Sequence, residues 1–175
     1  LAPADAVEVV KMMEGILDID GPVYIRINRN DLPKLTPEGE TWKPGKVWTL
    51  RDGTDAAIFA NGVMVSKALE AAEKLGKEGI SVKVLNVSTV KPVDRDAVIA
   101  AAKGMKGLVT AEEGNIVGGV GSAVLEALRM ERPAPLEFIG IKDTFGVSAK
   151  NYDELLERYG LTADAVAGAV KKVLK

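Results

Sequence analysis

Apolar and polar positions change period repeatedly along the 175 residues, and each change marks an element. Val7, Val10, Ile16 and Leu17 fall on one face of a helix that ends near Asp18, opened by Asp5 with Glu8 three positions on as a capping box. Gly21-Pro22 breaks that helix, and the β-branched and aromatic run at 23–27 predicts a strand. From 28 to 45 neither period holds, and Pro33, Pro37 and Pro44 stand among polar residues, which is the composition of an interdomain linker. A short strand at 47–50 and a buried one at 56–60, closed by Asn61-Gly62, come next. Met64, Ala68, Ala71, Ala72 and Leu75 then form one face of a helix that stops at Gly76. Strands are predicted at 80–87, 108–111 and 136–141, and helices at 93–105, 122–130, 152–159 and 162–174. Pro92 and Asp94 introduce the first of these helices; Gly160 separates the last two and Thr162 caps the final one.

Strands alternating with helices of this length require a mostly parallel sheet covered on both faces. The loop at Asn61-Gly62 and the loops at 86–94 and 112–121 then share the carboxyl edge, where such sheets bind ligands. The helix and strand before the linker have no sheet of their own.

Composition narrows the chemistry. A formal charge of −2 and a pI near 5.4 leave no basic excess for nucleic acid or an anionic membrane. No apolar run approaches the roughly 20 residues of a membrane span, and acids stand at 1–14 where a signal peptide would be basic. The chain does not begin with Met and reads as a processed or trimmed product. It has no cysteine, which removes disulfides and thiol chemistry and fits an intracellular protein. With no histidine either, a triad base, a His-bound metal and the usual general base near neutral pH are all missing from it.

Three groups could still bind something. Residues 111–124, AEEGNIVGGVGSAV, hold Glu112, Glu113, Gly118, Gly119, Gly121 and Ser122 between a strand and a helix. Such a loop serves either tight packing at a domain or subunit contact, the favoured reading, or an anion at a helix N-terminus. Its spacing, G-G-x-G-S, is not the dinucleotide fingerprint, and no Gly-Lys-Ser/Thr P-loop is present. Glu112 and Glu113 are neighbours on an extended chain and point to opposite sides, so they do not form a catalytic pair. Arg26 and Arg29 end the strand at 23–27, three apart, and can reach a phosphate or carboxylate if the chain kinks between them. Lys171, Lys172 and Lys175 complement a helix C-terminus.

Six segments in order carry a resemblance: PADAVE (3–8), GPVYIR (21–26), NRNDLP (28–33), DGTDAAIFANG (52–62), VLNVSTVKPVD (84–94) and TAEEGNIVGGVGSAV (110–124). Together they closely resemble the last part of transketolase, clearly to about residue 125 and more loosely to the end. Deoxyxylulose-phosphate synthases and the β chains of 2-oxoacid dehydrogenases share the architecture and are the alternatives within the class. An autonomous anion- or nucleotide-binding module, or a pure interaction module, is the alternative outside it.

The resemblance implies that 1–33 are the last helix and strand of a pyrimidine-binding domain, 34–45 a linker, and 46–175 a complete C-terminal domain. That domain is a Rossmann-like three-layer α/β/α sandwich, with a mixed five-stranded sheet that is mostly parallel and has one antiparallel edge strand. Transketolases are cytoplasmic enzymes that move a two-carbon ketol unit between sugar phosphates with thiamine diphosphate and Mg²⁺. The cofactor lies between the diphosphate-binding domain of one chain and the pyrimidine domain of another. The implied partners are thus an N-terminal diphosphate-binding domain or subunit and a dimer mate. The metal-binding Gly-Asp-Gly motif and the glutamate that contacts the aminopyrimidine have no counterpart here. No catalytic residue, metal ligand or cofactor is therefore expected in this chain alone, which should be inactive by itself. Arg29 matches the arginine of SRQNLP that contacts substrate phosphate, and Arg26 matches the deoxyxylulose-phosphate synthase pattern. Gly114 stands where the family has His. The first helix should expose apolar surface, its own domain being incomplete.

Overall fold

The run at 56–60 is apolar at every position, which suits a strand covered on both faces. In the computed structural model, which describes every residue except Glu38, Glu40 and Arg132, it is the buried centre of a sheet. Among the described residues the strands are β1 (Trp48–Arg51), β2 (Ala56–Ala60), β3 (Val82–Asn86), β4 (Gly107–Asn115) and β5 (Leu136–Ile141). Their spatial order is β1-β3-β2-β4-β5, with β1 antiparallel to β3 and the other pairs parallel. This is the mixed sheet with one antiparallel edge that the resemblance implies.

Alternating strand residues feed two cores. Ile58, Val84 and Val109 pack under α2 (Met64–Lys77), α5 (Tyr152–Arg158) and α6 (Ala163–Val173). Phe59, Leu85 and Leu108 pack under α3 (Arg95–Ala102) and α4 (Val120–Ala127) on the other face, which completes three layers. Asp94, Asn151 and Thr162 cap α3, α5 and α6 by accepting from the backbone N–H three residues on.

The first helix, α1 (Ala6–Gly15), continues as a 3₁₀ turn to Asp18 and is capped by Asp5, which accepts from the Glu8 amide at 2.8 Å. As expected of a helix whose own domain is incomplete, it leaves apolar surface exposed. Glu8 and Met12 are buried, whereas Val10 and Leu17 are 58% and 82% exposed. The reason lies far along the chain. Asn86 at the end of β3 donates to both Glu8 oxygens at 3.1 and 3.0 Å, and Met12 joins Trp42 and Trp48 in a third small core. The Glu8 carboxylate also accepts from the Ala4 amide at 2.7 Å, one residue before the position that a capping box would use.

Three further expectations are corrected. Residues 23–27 form no strand: their backbone bonds to another segment among the described residues are two, both to Leu1. A lone bridge without a neighbouring strand is not a sheet. α2 runs past Gly76 to Lys77, and the chain leaves it at Gly79, where φ is +81°; the Gly79 N–H bonds Gly76 O and the Ile80 N–H bonds Leu75 O. β4 extends to Asn115, which moves Glu112, Glu113 and Gly114 from the loop into the strand, and α4 opens at Val120 instead of Ser122.

Residues 28–45 carry no helix or strand among those described, yet they are tied down. Asp5 accepts from Leu35 N at 2.5 Å, Thr36 N at 2.6 Å and Thr36 Oγ1 at 2.9 Å. Trp42 lies on Gly15, where a Cβ would come within 2.7 Å of its ring.

Burial raises the Asp5 pKa, but hydrogen bonds from Glu8, Leu35 and Thr36 outweigh it and hold the carboxyl below 3.8. The unfolded state therefore binds the proton more readily. The stabilisation from Asp5 is complete above the unfolded value and is lost as pH falls through the folded one. Asp5→Ala, which removes the cap and strands three donors, should cost about 3 kcal/mol in urea unfolding at pH 7. Its deficit against wild type should shrink as the pH drops below 3.8.

Candidate functional site

The chain leaves β2 towards β3 and then crosses back to β4, so the switch point of the parallel sheet lies between the carboxyl ends of β2 and β4. A ligand crevice is expected there. In this fold the chain's own N-terminal segment fills it. Ala2 donates to Ser88 O at 2.8 Å and accepts from Gly62 N at 3.3 Å. Arg26 reaches between the two strand ends: a Cβ on Gly62 would lie 4.0 Å from its Nη2, and one on Gly114 only 2.9 Å from its Nη1. Gly114 is thus a position where absence of a side chain leaves room for a guanidinium.

Glu112 and Glu113 diverge as strand neighbours must. Glu112 is buried towards α4, and its two oxygens accept from Val120 N and Gly121 N at 3.0 Å each. Its charge meets the positive end of the helix dipole. Gly119 is held small by the same carboxylate, since a Cβ there would collide with Glu112, and a Cβ on Gly121 would collide with Phe138. Gly118 has φ +77° and donates to Ser122 Oγ at 3.0 Å. On their outer side Gly118, Gly119 and Ser122 border an open cavity of about 600 Å³ with Lys91, Arg95 and Arg129.

Glu113 points the other way, to α5 and to the arm at 23–30. Tyr152 OH donates to Glu113 Oε1 at 2.8 Å, and Asn28 Nδ2 donates to Glu113 Oε2 at 3.0 Å and to the Tyr152 oxygen at 2.6 Å. Asn28 Oδ1 accepts from both Asn30 N and Asn30 Nδ2, at 2.8 and 2.9 Å. Burial, then the hydrogen bond and charge of Glu113, push the Tyr152 phenol well above its ordinary range, so it stays a donor at any working pH. Arg29, between the two asparagines, is exposed, while Arg26 is half-buried. The structure therefore separates the two arginines: one is inside the crevice and the other is on the surface of the arm.

Asn28 and Tyr152 are the members of this edge that the sequence pattern does not single out. Asn-x-Asn at 28–30 is an Asx-turn signal, whereas nothing local marks Tyr152. Among the described residues, no group of three or more His, Cys, Asp or Glu could hold a metal ion, and no helix is long and apolar enough to cross a membrane.

Fold and edge together define a mixed-sheet α/β domain that fills its own crevice and carries an arginine-bearing arm over it. Comparison with known proteins gives the family: residues 45–166 match the model of the transketolase C-terminal domain, and the chain belongs to that family. It is 42% identical over 98% of its length to the 6-deoxy-6-sulfo-D-fructose transketolase subunit SqwH of Clostridium sp. (strain MSTE9), covering 53% of that protein. It is 38% identical over 97% of its length to the 1-deoxy-D-xylulose-5-phosphate synthase of Cyanothece sp. (strain PCC 7425 / ATCC 29141), covering 28% of it. A solved structure, described as a split gene transketolase, inactive beta4 tetramer, matches 98% of this chain and 55% of its own with a TM-score of 0.91 and 41% identity. The chain thus spans about half the length of the split-transketolase relatives it matches.

Removing the acceptor for two helix-start amides should be felt in folding. Glu112→Ala is expected to lower stability by about 2 kcal/mol in urea unfolding, and Glu112→Gln, which turns an N–H towards one of those amides, by a smaller amount.

Proposed function

We propose that the chain is the C-terminal portion of a thiamine-diphosphate-dependent transketolase, moving a two-carbon ketol unit between sugar phosphates as part of a split enzyme. The observation that carries this reading is the match of the arm together with the domain: 98% of the chain, at 41% identity, superposes on the split gene transketolase. A freestanding nucleotide-binding or interaction module would have no use for half a layer of a second domain. The filled crevice at the sheet's switch point also argues against the nucleotide binder.

In this reading Arg29 contacts substrate phosphate. It is the exposed arginine of the pair, and a guanidinium gives a phosphate two parallel hydrogen bonds. Arg26, half-buried against Gly114, supports the arm from beneath and is the weaker candidate for direct contact. Thiamine diphosphate would supply the carbanion chemistry from the partner half, with Mg²⁺ held there too; the sequence has no diphosphate motif, and the described residues include no cluster of three or more metal-binding side chains. The chain alone is inactive, works in a dimeric assembly in the cytoplasm, and would contribute surface to the partner and to its mate. The beta4 assembly named for the structural neighbour, itself inactive, supports that division of labour. The apolar residues Val10, Met13, Leu17, Tyr24 and Ile27, exposed on α1 and the arm, fit contact with the rest of a pyrimidine domain.

The test supplies a version extended through a whole pyrimidine domain together with the diphosphate-binding partner, thiamine diphosphate and Mg²⁺. Ketol transfer from xylulose 5-phosphate to ribose 5-phosphate is expected in that mixture and not with the present chain. Arg29→Ala should raise KM for the phosphorylated substrates roughly 100-fold while kcat changes little, a loss of about 2 to 3 kcal/mol of charged hydrogen bonding. The synthase relative supports a second reading, and condensation of pyruvate with glyceraldehyde 3-phosphate in the same mixture would favour it instead.

A further inference from the structure

Arg29 has no regular element to hold it, since residues 22–28 belong to no helix or strand and 29–30 form a bend. A substrate-binding side chain must nevertheless sit within about half an ångström of its productive place. The hydrogen bonds on either side of Arg29 meet that requirement. Asn28 uses its whole capacity: two N–H donors, to Glu113 Oε2 and the Tyr152 oxygen, and two acceptor positions filled by Asn30 N and Asn30 Nδ2. The two bonds that Asn30 donates to Asn28 Oδ1 close the chain around the single residue between them. Glu113 and Tyr152, which grip Asn28 from outside, belong to the end of β4 and the start of α5.

We propose that Asn28, Glu113 and Tyr152 form a clamp through which the C-terminal domain sets the position of Arg29, making the three of them positioning residues for phosphate recognition. The clamp rests on the assignment of Arg29 made above. Its chemistry is directional. Tyr152 donates its only proton to Glu113 and accepts from Asn28, so the three groups form a closed ring of hydrogen bonds. Asparagine is required at 28, because aspartate would set a second carboxylate against Glu113, and glutamine would displace the amide by one methylene. Arg26 lies beside the same ring, its Nη1 in the space over Gly114, and adds a positive charge next to the Glu113 strand end.

The experiment uses the complete enzyme with its cofactor, a phosphate-free ketol donor such as hydroxypyruvate, and two acceptors, ribose 5-phosphate and glycolaldehyde. Tyr152→Phe and Asn28→Asp should each raise KM for ribose 5-phosphate about tenfold, the worth of one strong hydrogen bond, with kcat and the glycolaldehyde KM held within about twofold. The double variant Asn28→Asp, Glu113→Gln reverses donor and acceptor across one bond and should recover most of the loss. Tyr152→Phe melting at the wild-type temperature would show that the KM effect is not misfolding. If Arg29→Ala raises the ribose 5-phosphate KM but the clamp variants do not, or if they raise both acceptor KM values alike, the clamp is wrong and the assignment of Arg29 stands. If Arg29→Ala itself discriminates nothing between the two acceptors, both fall together.

Discussion

A carboxyl group with no contact to solvent joins the two parts of this chain. Glu8 has zero exposure, burial pushes its pKa up, and only donors from Ala4, Ser88 and Asn86 make the ionised form tolerable there. An unpaired buried charge would cost several kcal/mol, so these donors and the acid must come together or not at all. Because Asn86 ends β3 and Glu8 lies in the first turns of α1, that requirement fixes the helix on the sheet edge. Ala2, hydrogen-bonded to Ser88 and Gly62, follows from it, and so does the path of the arm that returns past Leu1 to Arg26. Where the arm lies over the sheet edge is decided by this seam as much as by the residues of the arm.

The glycines of the edge have a common explanation. Gly119 admits the Glu112 carboxylate, Gly121 admits Phe138, and Gly114 admits Arg26. In each case the close approach is made by the chain itself. A parallel sheet offers a crevice where its strand order reverses, and here internal groups occupy it, so any ligand must be met further out, on surfaces the edge carries. Conformational freedom is the reason for glycine at Gly62 and Gly118, where φ is positive.

Much of the sheet was legible because its signals are local. A continuous apolar run marks β2, β-branched-rich runs mark β3 and the start of β4, and Asp94 and Thr162 announce helix starts that the structure confirms. What is not legible depends mostly on a distant partner. The burial of Glu8 on α1 is not readable locally, because its partner Asn86 lies 78 residues away, which no window of helical period contains. Residues 23–27 have the composition of a strand, and the sheet they would need is not among these residues. Gly76 looked like a stop because glycine usually is one, yet the positive φ falls at Gly79. At the edge, Arg29 and Glu113 could be picked out by type and resemblance. Tyr152 could not, because its role rests on the Asn28 contact across 124 residues.

The seam also bears on how such proteins can be recombined. A fold comparison would place a crossover for chimeras in the stretch at 34–45, where none of the described residues lies in a helix or strand. A junction there would take Glu8 from one parent and Asn86 from the other, and likewise Asn28 from one and Glu113 and Tyr152 from the other. Asp5 would be parted from Leu35 and Thr36 only by a cut before them. The unit of exchange that keeps every cooperating pair from one ancestor therefore begins upstream of Ala2, so the heritable module is longer than the domain that sequence families delimit.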